Sequence, residues 1–130
     1  MTPSSECVAS GSCRACHAEA VRVPLAAPLA HYVVIRKDLP LGILAAQLVH
    51  AAGESSPGNL PPGTHAIVLE VPDEPALAAL GRRLVLAGVA HVRIVEDAQP
   101  WTGQLMALGL VPVPREEVRR RLSSLPLLRE

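Results

Sequence analysis

"HYVVIRKDLPLGILAAQLVHAAGE", residues 31–54, changes local structure within a few residues. Its opening "HYVVIRK" is a β-branched run suited to a buried strand, and Asp38-Leu39-Pro40 breaks it. Beyond the break, Leu41, Leu44, Ala45, Leu48 and Ala52 recur at the i, i+3, i+4, i+7 spacing of an amphipathic helix, with Gly53 placed to stop it. The spacing predicts that Leu41, Leu44 and Leu48 are buried and that Gln47, His50 and Glu54 share the opposite, polar face. Such a face is either one wall of a binding groove or ordinary solvation of a core helix, and periodicity does not separate the two. The helix start carries free backbone N–H groups able to hold a phosphate or a developing oxyanion. Pro40 supplies no N–H, and the Asp38 carboxylate is placed to cap that start and neutralise it.

Working outward, "SSPGNLPPG" (55–63) is a turn-rich exposed loop, and "THAIVLEV" (64–71) is a second strand. "PDEPALAALGRRLVLAG" (72–88) is a helix with Asp73 as N-cap, Gly88 as stop, and Leu77, Leu80 and Leu84 as its buried stripe. "AHVRIVE" (90–96) and "QLMALGLV" (104–111) are further strands, and a last helix starting near Pro114 buries Val118, Leu122 and Leu125. Strand-helix-strand units favour parallel pairing, while the short 96–103 connection suits an antiparallel pair. The order β-α-β-α-β-β-α therefore predicts an α/β fold: a single-domain mixed four-stranded sheet flanked by helices, spanning residues 30–130. Residues 1–29, rich in Ser, Ala and Pro without a sustained period, read as a flexible N-terminal extension.

A chain of 130 residues that is 49% hydrophobic has ample material for one core. With an aromatic fraction of 2%, that core is built from Leu, Val, Ile and Ala. The same fact nearly excludes an aromatic stacking platform for single-stranded nucleic acid, for which Trp101 and Tyr32 are the sole candidates. Lys and Arg balance Asp and Glu at 12 each, so any RNA contact needs a local basic patch. Lys37 is the single lysine, and a mechanism that needs an amine has that one choice. No window reaches the roughly 18 apolar residues of a membrane span, and no secretory signal is visible, so a cytoplasmic protein is expected.

Cys13-Arg14-Ala15-Cys16-His17 matches the C-x-x-C-H haem-attachment signature. Attachment requires export and an apolar haem pocket, and neither is indicated. Zinc on Cys7, Cys13, Cys16 and His17 is the other functional reading, but adjacent Cys16 and His17 are awkward joint ligands. An unstructured tail is the preferred reading. In "EDAQPWTGQ" (96–104), Asp97 and Thr102 flank a Pro-Trp step at a strand end, where a loop carboxylate is well placed for function or simply for a turn. Arg119, Arg120 and Arg121 spread around their helix and read as a solvated end favoured by the macrodipole.

"VVIRKDLPLGILAAQLVHAA", "HAIVLEVPDEPALAAL" and "VAHVRIVEDA" together resemble the archaeal and eukaryotic type-2 peptidyl-tRNA hydrolases, over about residues 31–128. The resemblance is closest to the divergent branch called peptidyl-tRNA hydrolase domain-containing proteins, which share a VLE-x-PDE stretch and a P-x-EEV final helix. It implies hydrolysis of the ester joining a peptide to the 3′ end of tRNA, with no metal or other cofactor. In that family the turn after the first strand reads D-L-K-M-G-K-G-K, and its first lysine is important for catalysis. Here Pro40 stands at that lysine, and the further glycine and lysines are missing. The family's D-A-G-R-T-Q loop matches Asp97; Thr102 matches after a shift, and a later family Thr falls on Gln104.

The expected catalytic residues are thus Asp97, His50 and Thr102. Asp97 would orient or activate water. Asp38, Gln47, Arg36, Lys37 and Gln104 would contact the substrate, with Arg36 or Lys37 substituting for the lost cation. The expected partner is peptidyl-tRNA or another RNA, with no membrane and with a homodimer left open. The alternative is a catalytically inactive RNA- or protein-binding module on the same fold, because Pro40 replaces the lysine.

Overall fold

The computed structural model describes residues 28–129, so the Cys13-Cys16-His17 motif lies outside the described residues. The chain runs β1 (Leu29–Arg36), α1 (Leu41–Ser55), β2 (His65–Val71), α2 (Glu74–Leu86), β3 (His91–Val95), β4 (Leu105–Leu110) and β5 (Val113–Pro114), then a 3₁₀ turn (Arg115–Glu117) and α3 (Arg119–Leu122). The sheet order is β2-β1-β4-β3, with β5 beside the start of β1. β1 and β2 pair in parallel, from Ala30↔His65 to Arg36↔Val71. β4 is antiparallel to both β1 and β3. The mixed α/β architecture follows the sequence reading, as do the parallel first unit and the antiparallel pair across 96–103.

Every residue of β1 from Ala30 to Arg36 is buried, because both faces of the strand are covered. Ala30, Tyr32 and Val34 pack with Leu77, Leu80 and Leu84 of α2 and with Val118 and Leu122 near the C-terminus. Val33 and Ile35 face the other way, into a second core with Leu44 and Ala51 of α1, Ile94 and Met106. Strand alternation thus builds two cores from one segment. α2 is closed at both ends as expected: the Ala76 N–H donates to Asp73 Oδ1 at 3.0 Å. At the other end Gly88 takes φ +73°, while Gly88 and Val89 N–H donate to the Val85 and Leu84 carbonyls.

Three expectations are corrected. The sheet has five strands, since the two residues Val113–Pro114 pair with Ala30 and Leu29. No β-forming run announces so short a strand, and Pro114 lacks a donor. The last helix is broken into a 3₁₀ turn and the four residues of α3, although Val118 and Leu122 are buried as expected. The inward face of α1 is also rotated. Leu41 is 81% exposed, and the buried positions are Leu44, Gln47, Ala51 and Ser55.

The cause of that rotation is close approach of α1 to β4. A Cβ placed on Gly109 would overlap the Ala51 carbonyl oxygen and lie 2.7 Å from Ser55 Oγ. Small residues therefore set which face of the helix turns inward, and Leu41 is left outside. Ser55 Oγ–H donates to the Ala51 carbonyl at 2.7 Å, so the buried His31 donates from Nε2 to Ser55 Oγ, also at 2.7 Å.

The outer edge of β2 is covered at Val68–Glu70 by residues 126–128. Glu70 N–H donates to the Pro126 carbonyl and Leu128 N–H to the Val68 carbonyl, both at 3.0 Å, around a Leu69↔Leu127 bridge. β3 ends the sheet on the other side and has no strand beyond it among the described residues. No helix of the described residues is long and apolar enough to cross a membrane.

Candidate functional site

The polar side chains singled out by sequence gather near the carboxyl ends of β1 and β3, on opposite faces of the sheet. On the α2 face, Arg36 is 5% exposed. Its Nε and Nη2 donate to the two Asp38 carboxylate oxygens at 2.7 and 2.8 Å. Its Nη1 donates to Gln104 Oε1 at 2.8 Å and to the Leu105 carbonyl at 3.3 Å. The guanidinium carbon lies 5.6 Å from the centre of the half-buried Trp101 ring. The bidentate contact with Arg36 holds the Asp38 carboxyl below its usual range and raises the guanidinium in return. Asp38, Arg36 and Gln104 are brought together, but as partners of one another.

Asp38 consequently does not cap α1, contrary to the reading of its carboxylate as the cap of that helix. Pro40 occupies the N-cap position without a side-chain hydrogen bond, and the first bonded amide is Leu44 N–H, donating to the Pro40 carbonyl. Lys37 turns to the opposite face from Arg36, as strand alternation requires, and lies 3.3 Å from Glu70.

On the α1 face, Gln47, His50 and Asp97 line one groove of about 340 Å³. Its walls are the α1 residues Gln47, His50 and Glu54 and the edge of the sheet from Arg93 to Asp97. Gln47 is 4% exposed rather than solvated, and its Nε2 donates to Glu96 Oε2 at 3.0 Å. Its carbonyl oxygen has no protein partner among the described residues. His50 is exposed, with Nδ1 3.9 Å from Glu54 Oε2 one helical turn on. Asp97 is exposed at the groove's end.

Glu96 is the residue that sequence reasoning missed. Its Oε1 accepts N–H bonds from Asp97 at 2.9 Å and Ala98 at 3.3 Å, and these, with Gln47, hold its carboxyl below the usual range. The signal was positional: Val92, Ile94 and Glu96 alternate on the α1 face, so the last of them meets the helix. Thr102 is exposed in the turn before β4 and does not line the groove. Among the described residues, no three His, Cys, Asp or Glu side chains converge as a metal site.

No family model matches the chain, and no curated protein matches it. A solved structure of a protein of unknown function from Agrobacterium tumefaciens strain C58 is similar, with a TM-score of 0.51 at 16% sequence identity. The match covers 80% of this chain and 100% of that one, and at this identity it is a likeness of fold.

Proposed function

We propose that the protein hydrolyses the ester joining a peptide to the 3′ end of tRNA, in the cytoplasm, with no metal or other cofactor. The observation that carries this reading is the convergence of Gln47, His50 and Asp97 in one groove, from a helix and a loop far apart in the chain. In the reaction, water adds to the ester carbonyl and the tetrahedral intermediate expels the 3′ oxygen of tRNA. Asp97, an exposed carboxylate on a loop, orients that water and accepts its proton. His50, with Glu54 beside it, protonates the departing oxygen, and Gln47 fixes the acyl group by its amide. The uncapped first turn of α1 offers its main-chain N–H groups to a tRNA phosphate where the resembling family uses lysine.

A second reading is favoured by a specific observation. Arg36 and Lys37 are engaged with Asp38 and Glu70, and the groove is walled by Glu54, Glu96 and Asp97. This charge distribution favours a non-catalytic module that binds protein. Release of tRNA from peptidyl-tRNA, measured for wild type, Asp97→Ala and Lys37→Ala, decides between them. Hydrolysis predicts turnover by wild type, a loss of about 100-fold or more in Asp97→Ala, and little change in Lys37→Ala. Wild type no faster than background rejects the enzyme.

A further inference from the structure

The edge of β3, which has no strand beyond it among the described residues, runs between two differently lined surfaces. The Ala90 carbonyl accepts from Val111 N–H, and Glu96 exchanges main-chain bonds with Gln104 and Gly103, so the even-numbered residues turn their backbone groups toward β4. Backbone direction alternates along a strand, which leaves the N–H and C=O of His91, Arg93 and Val95 pointing away from the sheet. On the α1 side, this edge borders the groove in which the carboxylates of Glu54, Glu96 and Asp97 outnumber the single cation Arg93, beside His50, and where the buried Gln47 carbonyl oxygen has no protein donor among the described residues. On the α2 side, it borders Val85 and Leu86, 65% and 88% exposed, with Arg82, His91 and Arg93 around them.

We propose that this edge takes an extended peptide as an added antiparallel strand, with basic side chains alternating with aliphatic ones. A strand added beside β3 sends successive side chains to opposite faces. Those opposite Arg93 and Val95 fall over the exposed Val85 and Leu86, where Arg82 and Arg93 repel a second cation. Those opposite Ile94 and Glu96 enter the carboxylate-lined groove and reach Gln47. Main-chain bonds supply affinity, and the two surfaces supply the pattern. The inference does not rest on ester hydrolysis, since a non-catalytic protein has the same edge.

The test is fluorescence anisotropy of the full chain with a labelled peptide of alternating Lys and Val. Three control peptides accompany it: alternating Glu and Val, the same Lys and Val in two blocks, and the alternating peptide N-methylated at its Val amides. The alternating basic peptide is expected to bind, and each control to bind at least about tenfold more weakly. Val95→Pro, which removes one outward N–H on an edge strand, and Glu54→Lys, on the surface, are each expected to weaken it about threefold to tenfold. Their unchanged circular dichroism and melting would establish that both variants fold. Equal binding of the basic, acidic and block peptides overturns the proposal, as does indifference to N-methylation. A dimer that captures no peptide and dissociates in Val95→Pro assigns the edge to a second copy, and also overturns it.

Discussion

A guanidinium 5% exposed needs an acceptor for each donor it buries, and Arg36 finds them in Asp38, Gln104 and the Leu105 carbonyl. Asp38→Ala leaves that charge with neutral acceptors alone and is expected to destabilise the fold by about 2 kcal/mol, read as a lower urea midpoint at unchanged slope. The same pair sets an acid limit. Asp38 has a folded pKa below its ordinary value of 3.8, so its contribution is complete above that value and is lost as pH falls through the folded pKa. His31 sets a higher one: burial lowers its pKa from 6.5, so stability is full above 6.5 and falls as pH drops toward the folded value. Melting curves against pH are expected to show both limbs, with the lower flattened in Asp38→Ala and the upper in His31→Gln. At this scale the sequence was partly legible. It marked Arg36, Asp38 and Gln104, but a carboxylate two residues from an arginine reads equally well as the cap of the next helix, and nothing local says which partner wins.

For whole elements, α1 packs against β4 at Gly109 with no room for a Cβ. Gly109→Ala is expected to cost about 3 kcal/mol, by urea denaturation, because a methyl group there displaces the helix. Ser55→Ala is expected not to rescue it, since the nearest obstacle is the Ala51 main-chain carbonyl. This contact also explains what periodicity could and could not read. The existence of α1, its start after Pro40 and the stop of α2 at Gly88 follow from local chemistry. The inward face of α1 does not, because it is chosen by a glycine more than fifty residues later (109 − 55 = 54). Periodicity therefore puts Gln47 on the polar face with His50 and Glu54, whereas the structure buries it against Glu96. Of the candidate site, the sequence made Gln47, His50 and Asp97 legible through resemblance, while Glu96 becomes visible only when β3 is laid beside α1.

In the molecule as a whole, the two sides of the sheet are treated unequally. Backbone groups at Val68 and Glu70 are satisfied by Leu128 and Pro126, whereas His91, Arg93 and Val95 face outward at the far edge, with no strand beside them among the described residues. Removing residues 126–130 is expected to expose the β2 edge and to raise self-association, measured by light scattering at matched concentration. A balanced total charge gave no hint of this asymmetry, since the carboxylates Glu54, Glu96 and Asp97 lie on one side of the β3 edge and Arg82 on the other, with Arg93 bordering both. The closed side also has a consequence for stoichiometry. A second copy joined at β3 about a two-fold axis buries both β3 edges and turns its own partly covered β2 edge outward. Among the described residues, the segment at 126–128 then acts as a stop on the far side of each copy, favouring a closed pair over an open chain of copies.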